Sequence, residues 1–158
     1  LFFYDLTRPE RSETARRNTN LFTGGVRQDL ERAPYAEHLV HRTLRGELVR
    51  SKSELVIANY LHSAGLQYHY ERPLDGLSRP GRLRPDFSFI DDSGDVVILE
   101  HLGMLDRTNY KESWKWKRDW YRDNGYIEGE NLFTTQEQQG LDMDSIAKVV
   151  ERIRLALE

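Results

Sequence analysis

Asp86 and Glu100 are two carboxylates that their surroundings draw together. Asp86 precedes the apolar run Phe87–Ile90, and Glu100 follows the apolar run 96–99, with Asp92-Ser93-Gly94 between the runs. β-Branched and aromatic runs around a short loop containing glycine predict a hairpin. Gly94 suits the left-handed residue of a three-residue hairpin loop. Pairing outward from that loop sets Asp91 against Asp95, Ile90 against Val96 and, at the open end, Asp86 against Glu100. The two acids then share one face of the sheet, with Cα atoms about 4.5–5.5 Å apart. Carboxylates directly opposed repel and destabilise the pair. A cation between them removes the repulsion, and a divalent metal is the plain candidate, because hard cations take carboxylate oxygens. The alternative is that Asp86 caps the turn after Pro85 and Glu100 ends a strand in water. A register slip of one residue would place them on opposite faces.

Other residues of chemical interest lie around this hairpin. Arg79, Arg82 and Arg84 cluster just before Asp86. Lys117 sits in a stripe with Tyr110, Trp114 and Tyr121, spaced so that all four share a helix face. A lysine in an aromatic stripe is unusual, because Lys is rarely buried without a partner. It serves a site there, or it snorkels to solvent. Trp116 and Trp120 form a second stripe, and Trp residues on one helix are more often core than stacking platforms. His38 and His41 lie three apart, and two histidines without a third ligand are a weak zinc signal.

The elements that must position these groups follow from pattern. Residues 51–64 read as an amphipathic helix capped by Ser51 or Ser53, with Glu54 in the first turn, where a carboxylate is favoured. Gly65 ends it. Residues 66–71 alternate like a strand, 73–82 read as a loop broken by Gly76 and Gly81, and Pro85 suits a strand entrance or bulge. A long helix follows over 107–123, closed by Gly125. A strand over 130–135 and an amphipathic helix over Met143–Leu157 complete the chain. The order helix, strand, strand, strand, helix, strand, helix predicts an α/β domain with a mixed sheet between helices. Residues 51–158 form this core. Residues 1–50 are read as an Arg-rich arm with a turn at Gly24-Gly25, then a short helix over 33–49 that opens at Pro34. Arg8, Arg11, Arg16 and Arg17 in the arm could touch phosphates or simply be solvated.

The chain has 158 residues, 38% hydrophobic and 31% charged, enough for one domain with a buried core. No apolar stretch is long enough to span a membrane. It opens Leu-Phe-Phe-Tyr without a basic segment before a long apolar core, so no signal peptide is expected, and the start is compatible with an excised fragment as well as with a whole chain. There is no cysteine, hence no disulfide framework and no thiolate metal site. That suits an intracellular, cytoplasmic protein. The net charge of −3 divides unevenly: residues 1–50 carry +2 and residues 51–158 carry −5. A uniformly basic nucleic-acid binder is excluded, and any such contact must come from local clusters.

A helix acid, a Pro-Asp pair, an acid after an apolar strand and then an aromatic-rich helix together resemble the PD-(D/E)XK nuclease superfamily. Pro85-Asp86 matches the PD element, Glu100-His101-Leu102 the (D/E)XK element, and Glu54 the helix-borne acid of many members. The resemblance covers about residues 50–135 and is nearest to RecB-like, helicase-associated nuclease domains. Those carry a QxxxY element on the helix after the third strand, where this chain has Lys117-Arg118-Asp119-Trp120-Tyr121. The resemblance implies a restriction-endonuclease-like three-layer α/β/α fold with a central mixed sheet. It implies a Mg²⁺- or Mn²⁺-dependent deoxyribonuclease of DNA repair, recombination or defence, with DNA as substrate and a fused or separate helicase as partner. Asp86, Glu100, Glu54 and the backbone carbonyl of His101 would hold the metal. Glu54, Asp86, Glu100, Lys117 and Tyr121 would form the catalytic set, with Arg79, Arg82 and Arg84 on DNA phosphates. The chain departs from the pattern at Leu102, which takes the usual Lys position, and at Lys117, which takes the usual Gln position. The first departure motivates the alternative, a catalytically silent DNA-binding or partner-docking module on the same fold. Lys117 is the expected substitute for the missing lysine, with Lys115 as its rival.

Overall fold

The computed structural model describes residues 36–103 and 107–158. The expected arm, with Arg8, Arg11, Arg16, Arg17 and the turn at Gly24-Gly25, lies outside the described residues, as does Pro34. A single 3₁₀ turn, Ala36–His38, is followed by a small hairpin of β1 (His41–Arg42) and β2 (Leu48–Val49). The short helix expected over 33–49 is therefore corrected. Gly46 at φ +107° turns the chain back, a conformation glycine adopts without steric cost.

Helix α1 (Lys52–Ser63) starts in a capping box. The Ser51 side chain accepts from the Glu54 N–H at 3.1 Å, and Glu54 Oε2 accepts from the Ser51 N–H at 3.3 Å. Reciprocal satisfaction of two orphan donors fixes where the helix begins. Then come β3 (His69–Tyr70), β4 (Leu74–Asp75) and β5 (Arg82–Leu83). The segment expected as one loop over 73–82 thus carries a two-residue antiparallel ladder, β4 on β5. The strand expected over 66–71 shrinks to its two paired residues.

Strands β6 (Phe87–Ile90) and β7 (Val96–Leu102) form the expected hairpin in the expected register, with Phe87 opposite Leu99 and Ile90 opposite Val96. Gly94 at φ +87° lets its N–H reach the Asp91 carbonyl. The Asp91 carboxylate accepts from the Ser93 and Asp95 N–H groups at 2.9 Å. Helix α2 (Thr108–Asp123) crosses from β7 to β8 (Leu132–Gln136), which runs parallel to β7, and α3 (Met143–Leu157) ends the chain.

The central sheet is mixed, in the order β3-β6-β7-β8. Helices cover both faces. Phe87, Phe89, Val97 and Leu99 pack with α1 and α3, whereas Val96, Ile98 and Leu102 pack with Trp114, Trp120 and Tyr121 of α2. A side chain fully removed from water, such as Leu99 or Phe87, contributes about 1.5–3 kcal/mol. Trp120 is buried and its Nε1–H donates to the Pro80 carbonyl at 3.0 Å, while Trp116 is half exposed. The second tryptophan stripe is therefore not one buried face. Among the described residues no helix is long and apolar enough to cross a membrane.

Candidate active site

Every residue of β7 is buried, yet the strand carries Glu100 and His101. Buried ionisable groups need partners, and alternation sends these two to opposite faces. Glu100 faces α2. Its Oε1 accepts from the Tyr121 hydroxyl at 2.5 Å and lies 3.1 Å from Lys117 Nζ. Lys117 stands one turn before Tyr121, so the helical stripe delivers both donors to one carboxylate oxygen. Lys115 is exposed and makes no such approach.

The β6–β7 ladder ends at Phe87 opposite Leu99, and its register carried one step further sets Asp86 across from Glu100. Its Oδ2 accepts from the His101 N–H at 2.7 Å. Burial, then the Glu100 charge, push the Asp86 carboxyl well above its ordinary range, against the pull of Lys117. Burial alone would lower Lys117, but Glu100 and Asp86 outweigh it and raise the ammonium. Tyr121 is pushed well up by burial and then by Glu100. The face thus holds two carboxylates against one cation, a state that favours further positive charge.

With Oδ2 of Asp86 and Oε1 of Glu100 engaged, Asp86 Oδ1 and Glu100 Oε2 have no hydrogen bond among the described residues. The His101 carbonyl accepts a long bond from the Tyr110 hydroxyl, at 3.4 Å. Ser88, two residues along from Asp86 on the same strand face, has a buried hydroxyl without a hydrogen-bond partner among the described residues. Oxygen donors of this kind fit a hard divalent ion. Glu54 stands back from the pair. Its Oε2 accepts from the N–H groups of Arg50 and Ser51 and from the Tyr70 hydroxyl at 2.7 Å, although its charge adds to the rise at Asp86. Among the described residues no three acidic or histidine side chains gather closely enough to hold an ion by themselves.

The His101 ring points away from the acids and joins a separate network. Nδ1 meets Thr135 Oγ1 at 2.8 Å and Nε2 meets Glu137 Oε2 at 3.2 Å, and Glu137 also accepts from Ser53 Oγ at 2.5 Å. Leu102 shares the α2 face with Glu100 but is buried in the apolar cluster. Arg79 pairs with Asp123 at 3.0 Å and lies over the Trp116 ring, Arg82 pairs with Asp75 at 2.7 Å across the β4–β5 ladder, and Arg84 donates to the Glu71 carbonyl at 3.2 Å. The three arginines expected as one phosphate cluster thus have separate neighbours. His38 and His41 lie apart from the acids, on the 3₁₀ turn and on β1.

Sequence reasoning missed Tyr70, Tyr110, Glu137 and Ser88. Helical spacing puts Tyr110 on the stripe of Lys117 and Tyr121 but gives it no role. Tyr68 and Tyr70 alternate with His69, a signal that puts both rings in one cluster, where Tyr70 donates to Glu54 of α1 and Tyr68 to Glu47 of the hairpin. Glu137 follows the last strand with no pattern of its own.

No family model and no solved structure matches the chain. An uncharacterized protein of Methanocaldococcus jannaschii is 36% identical over 116 residues, which make up 73% of this chain. That match spans 9% of the relative's length.

Proposed function

We propose that the chain is a Mg²⁺- or Mn²⁺-dependent DNA nuclease domain of restriction-endonuclease-like α/β/α fold. The observation that carries this reading is the opposition of Asp86 and Glu100 with Lys117 Nζ 3.1 Å from Glu100 Oε1. The mixed sheet with helices on both faces supports the fold. A match to a small part of a much longer relative suits a module carried in larger proteins, as a helicase-associated role in DNA repair, recombination or defence would require.

Asp86 Oδ1, Glu100 Oε2 and the His101 carbonyl would hold the ion, with Glu54 behind them. When bound, it supplies a Lewis acid for the phosphoryl oxygen and acidifies an attacking water. The water oxygen bonds to phosphorus as the bond to the leaving sugar oxygen breaks. One proton leaves the water and one is taken up by the leaving oxygen. Lys117 offers a preorganised ammonium where negative charge grows. Such a donor is worth about 2.7–4 kcal/mol, or 10²–10³ in rate. Tyr121 fixes the Glu100 rotamer that makes this possible.

A silent DNA-binding or docking module is the second reading. It is favoured by Glu100 Oε1 being already satisfied within the protein and by Leu102 lying in apolar core. Incubation with plasmid and with single-stranded DNA separates the two. The nuclease reading expects cleavage with Mg²⁺ or Mn²⁺, none in chelator, and none by Asp86→Ala. Absence of both cleavage and divalent-ion binding at millimolar metal, with DNA present, overturns it.

A further inference from the structure

A cavity of about 400 Å³ opens between the β1–β2 hairpin and the edge strand β3, away from the Asp86–Glu100 face. Its wall carries four guanidiniums, Arg42, Arg45, Arg72 and Arg84, against the two carboxylates of Glu47 and Glu71. Both carboxylates are held by arginines: Glu47 by Arg45 at 2.7 Å, and Glu71 by Arg50 through two contacts at 2.6 and 3.0 Å. The wall therefore has a formal excess of two positive charges in a chain whose net charge is −3. His69 in the same wall is pushed down to about 4, first by burial and then by Arg72 and Arg45.

The cavity adjoins the candidate active site through the backbone. Arg84 lies two residues before Asp86, a backbone span of at most about 7 Å. The Glu71 N–H donates to the Asp86 carbonyl at 3.2 Å, and Glu71 itself has φ +49°. A non-glycine residue in the left-handed region costs about 1–3 kcal/mol and persists where its surroundings hold it. Here Arg50 holds its carboxylate, and Arg84 its carbonyl. By contrast, Arg79 is matched to Asp123 at the end of α2 and Arg82 to Asp75 of β4.

We infer that this cavity is a phosphate-binding site that holds the polynucleotide strand leading to Asp86 and Glu100. The assignment rests on the nuclease reading for the identity of the ligand. Guanidinium matches phosphate geometry and stays charged at any working pH. Arg45 is tied to Glu47 and to the Tyr68 carbonyl and shapes the wall. Arg42 on the hairpin and Arg72 beside the edge strand are the residues to replace.

The test is fluorescence anisotropy of the whole chain with a labelled single-stranded oligonucleotide and with a short duplex, in chelator so that no cleavage is needed. Arg42→Gln and Arg72→Gln should each weaken binding several-fold across unrelated sequences. Each should also lower the salt slope by about 0.7 on single strands or 0.9 on duplex. Arg122→Gln, exposed near the end of α2 and paired with Asp119, should change neither. Placing one variant on each wall keeps the test decisive if circular dichroism shows that the other fails to fold. Unchanged affinity in a folded variant overturns the site, as does absence of oligonucleotide binding by the parent chain. Displacement of the oligonucleotide by equimolar inorganic phosphate or mononucleotide also overturns it, because the cavity would then take a lone anion. Cleavage measured separately distinguishes the two readings: a parent chain that binds through these arginines but never cleaves with Mn²⁺ overturns the nuclease and leaves the cavity assigned.

Discussion

Lys117 Nζ lies 3.1 Å from Glu100 Oε1, joining the middle of α2 to the buried end of β7. The same Glu100 oxygen accepts the Tyr121 hydroxyl, so one helical turn presents an acid-binding pair of donors. On the nuclease reading proposed above, this ammonium would stand in for a lysine at position 102. The Leu102 side chain shares the face of Glu100 but is packed in core, and the helix that covers this face brings the Lys117 cation to the carboxylate.

Lys117→Met is expected to lower cleavage by 10²–10³ at saturating Mn²⁺. The same substitution leaves Glu100 and Asp86 without their cation, so metal-free stability should fall by about 1–3 kcal/mol. Divalent metal should recover part of that loss. In this background Leu102→Lys should restore part of the activity, provided circular dichroism shows a native fold. Full cleavage by Lys117→Met would show that the reaction draws no help from this ammonium.

Glu137→Ala is expected to loosen the site from the opposite face of the sheet. Glu137 joins the His101 ring to Ser53 in the first turn of α1, next to Glu54. The His101 N–H in turn holds Asp86. Loss of these bonds should cost about 1 kcal/mol in urea denaturation and weaken Mn²⁺ binding in calorimetry, with partial recovery in Glu137→Gln. The Ser53 hydroxyl, then burial working the other way, then His101 leave the Glu137 carboxyl below its ordinary range. Its contribution is thus present above the ordinary carboxyl range and fades as pH falls through the lowered value. Glu137→Gln should flatten that acidic limb. Unchanged Mn²⁺ affinity in Glu137→Ala would restrict the network to a purely structural role.

The β6–β7 register was legible because two signals agree: Gly94 marks the loop, and the apolar runs leave one pairing that keeps both acids on the same face. The capping box at Ser51 and Glu54 was legible for the same reason, as spacing and residue type coincide. The β1–β2 hairpin was not. Two-residue strands are too short to show period, and only Gly46 hinted at a turn. The arginine loop misled because adjacency in the chain hides partners from elsewhere, such as Asp123 for Arg79. Glu54 shows the same limit: its spacing is that of a helix-borne acid, but Tyr70, from β3, takes part of its carboxylate.

Asp86→Asn is expected to make the metal-free protein more stable at neutral pH, by about 0.5–2 kcal/mol, as removal of a functional strain commonly does. Burial and Glu100 raise the Asp86 carboxyl, so the folded state holds this proton more tightly than the unfolded chain. Stability is therefore highest at acid pH for this group. It falls as pH climbs from the ordinary carboxyl range through the raised folded value. The Asn variant lacks that fall, so its advantage should grow with pH across the window and then level off. Mn²⁺ should reverse the order. At a hundredfold excess over its dissociation constant the ion stabilises the parent by about 2.7 kcal/mol, and the variant, with one of the two opposed carboxylates gone, should gain little. Thermal melts from pH 4 to 8, with and without Mn²⁺, read both effects. An Asn variant less stable than its parent at pH 7 without metal would mean that Lys117 outweighs Glu100 and burial at Asp86. The two carboxylates would then form an ion-paired structural cluster with no need of a divalent cation.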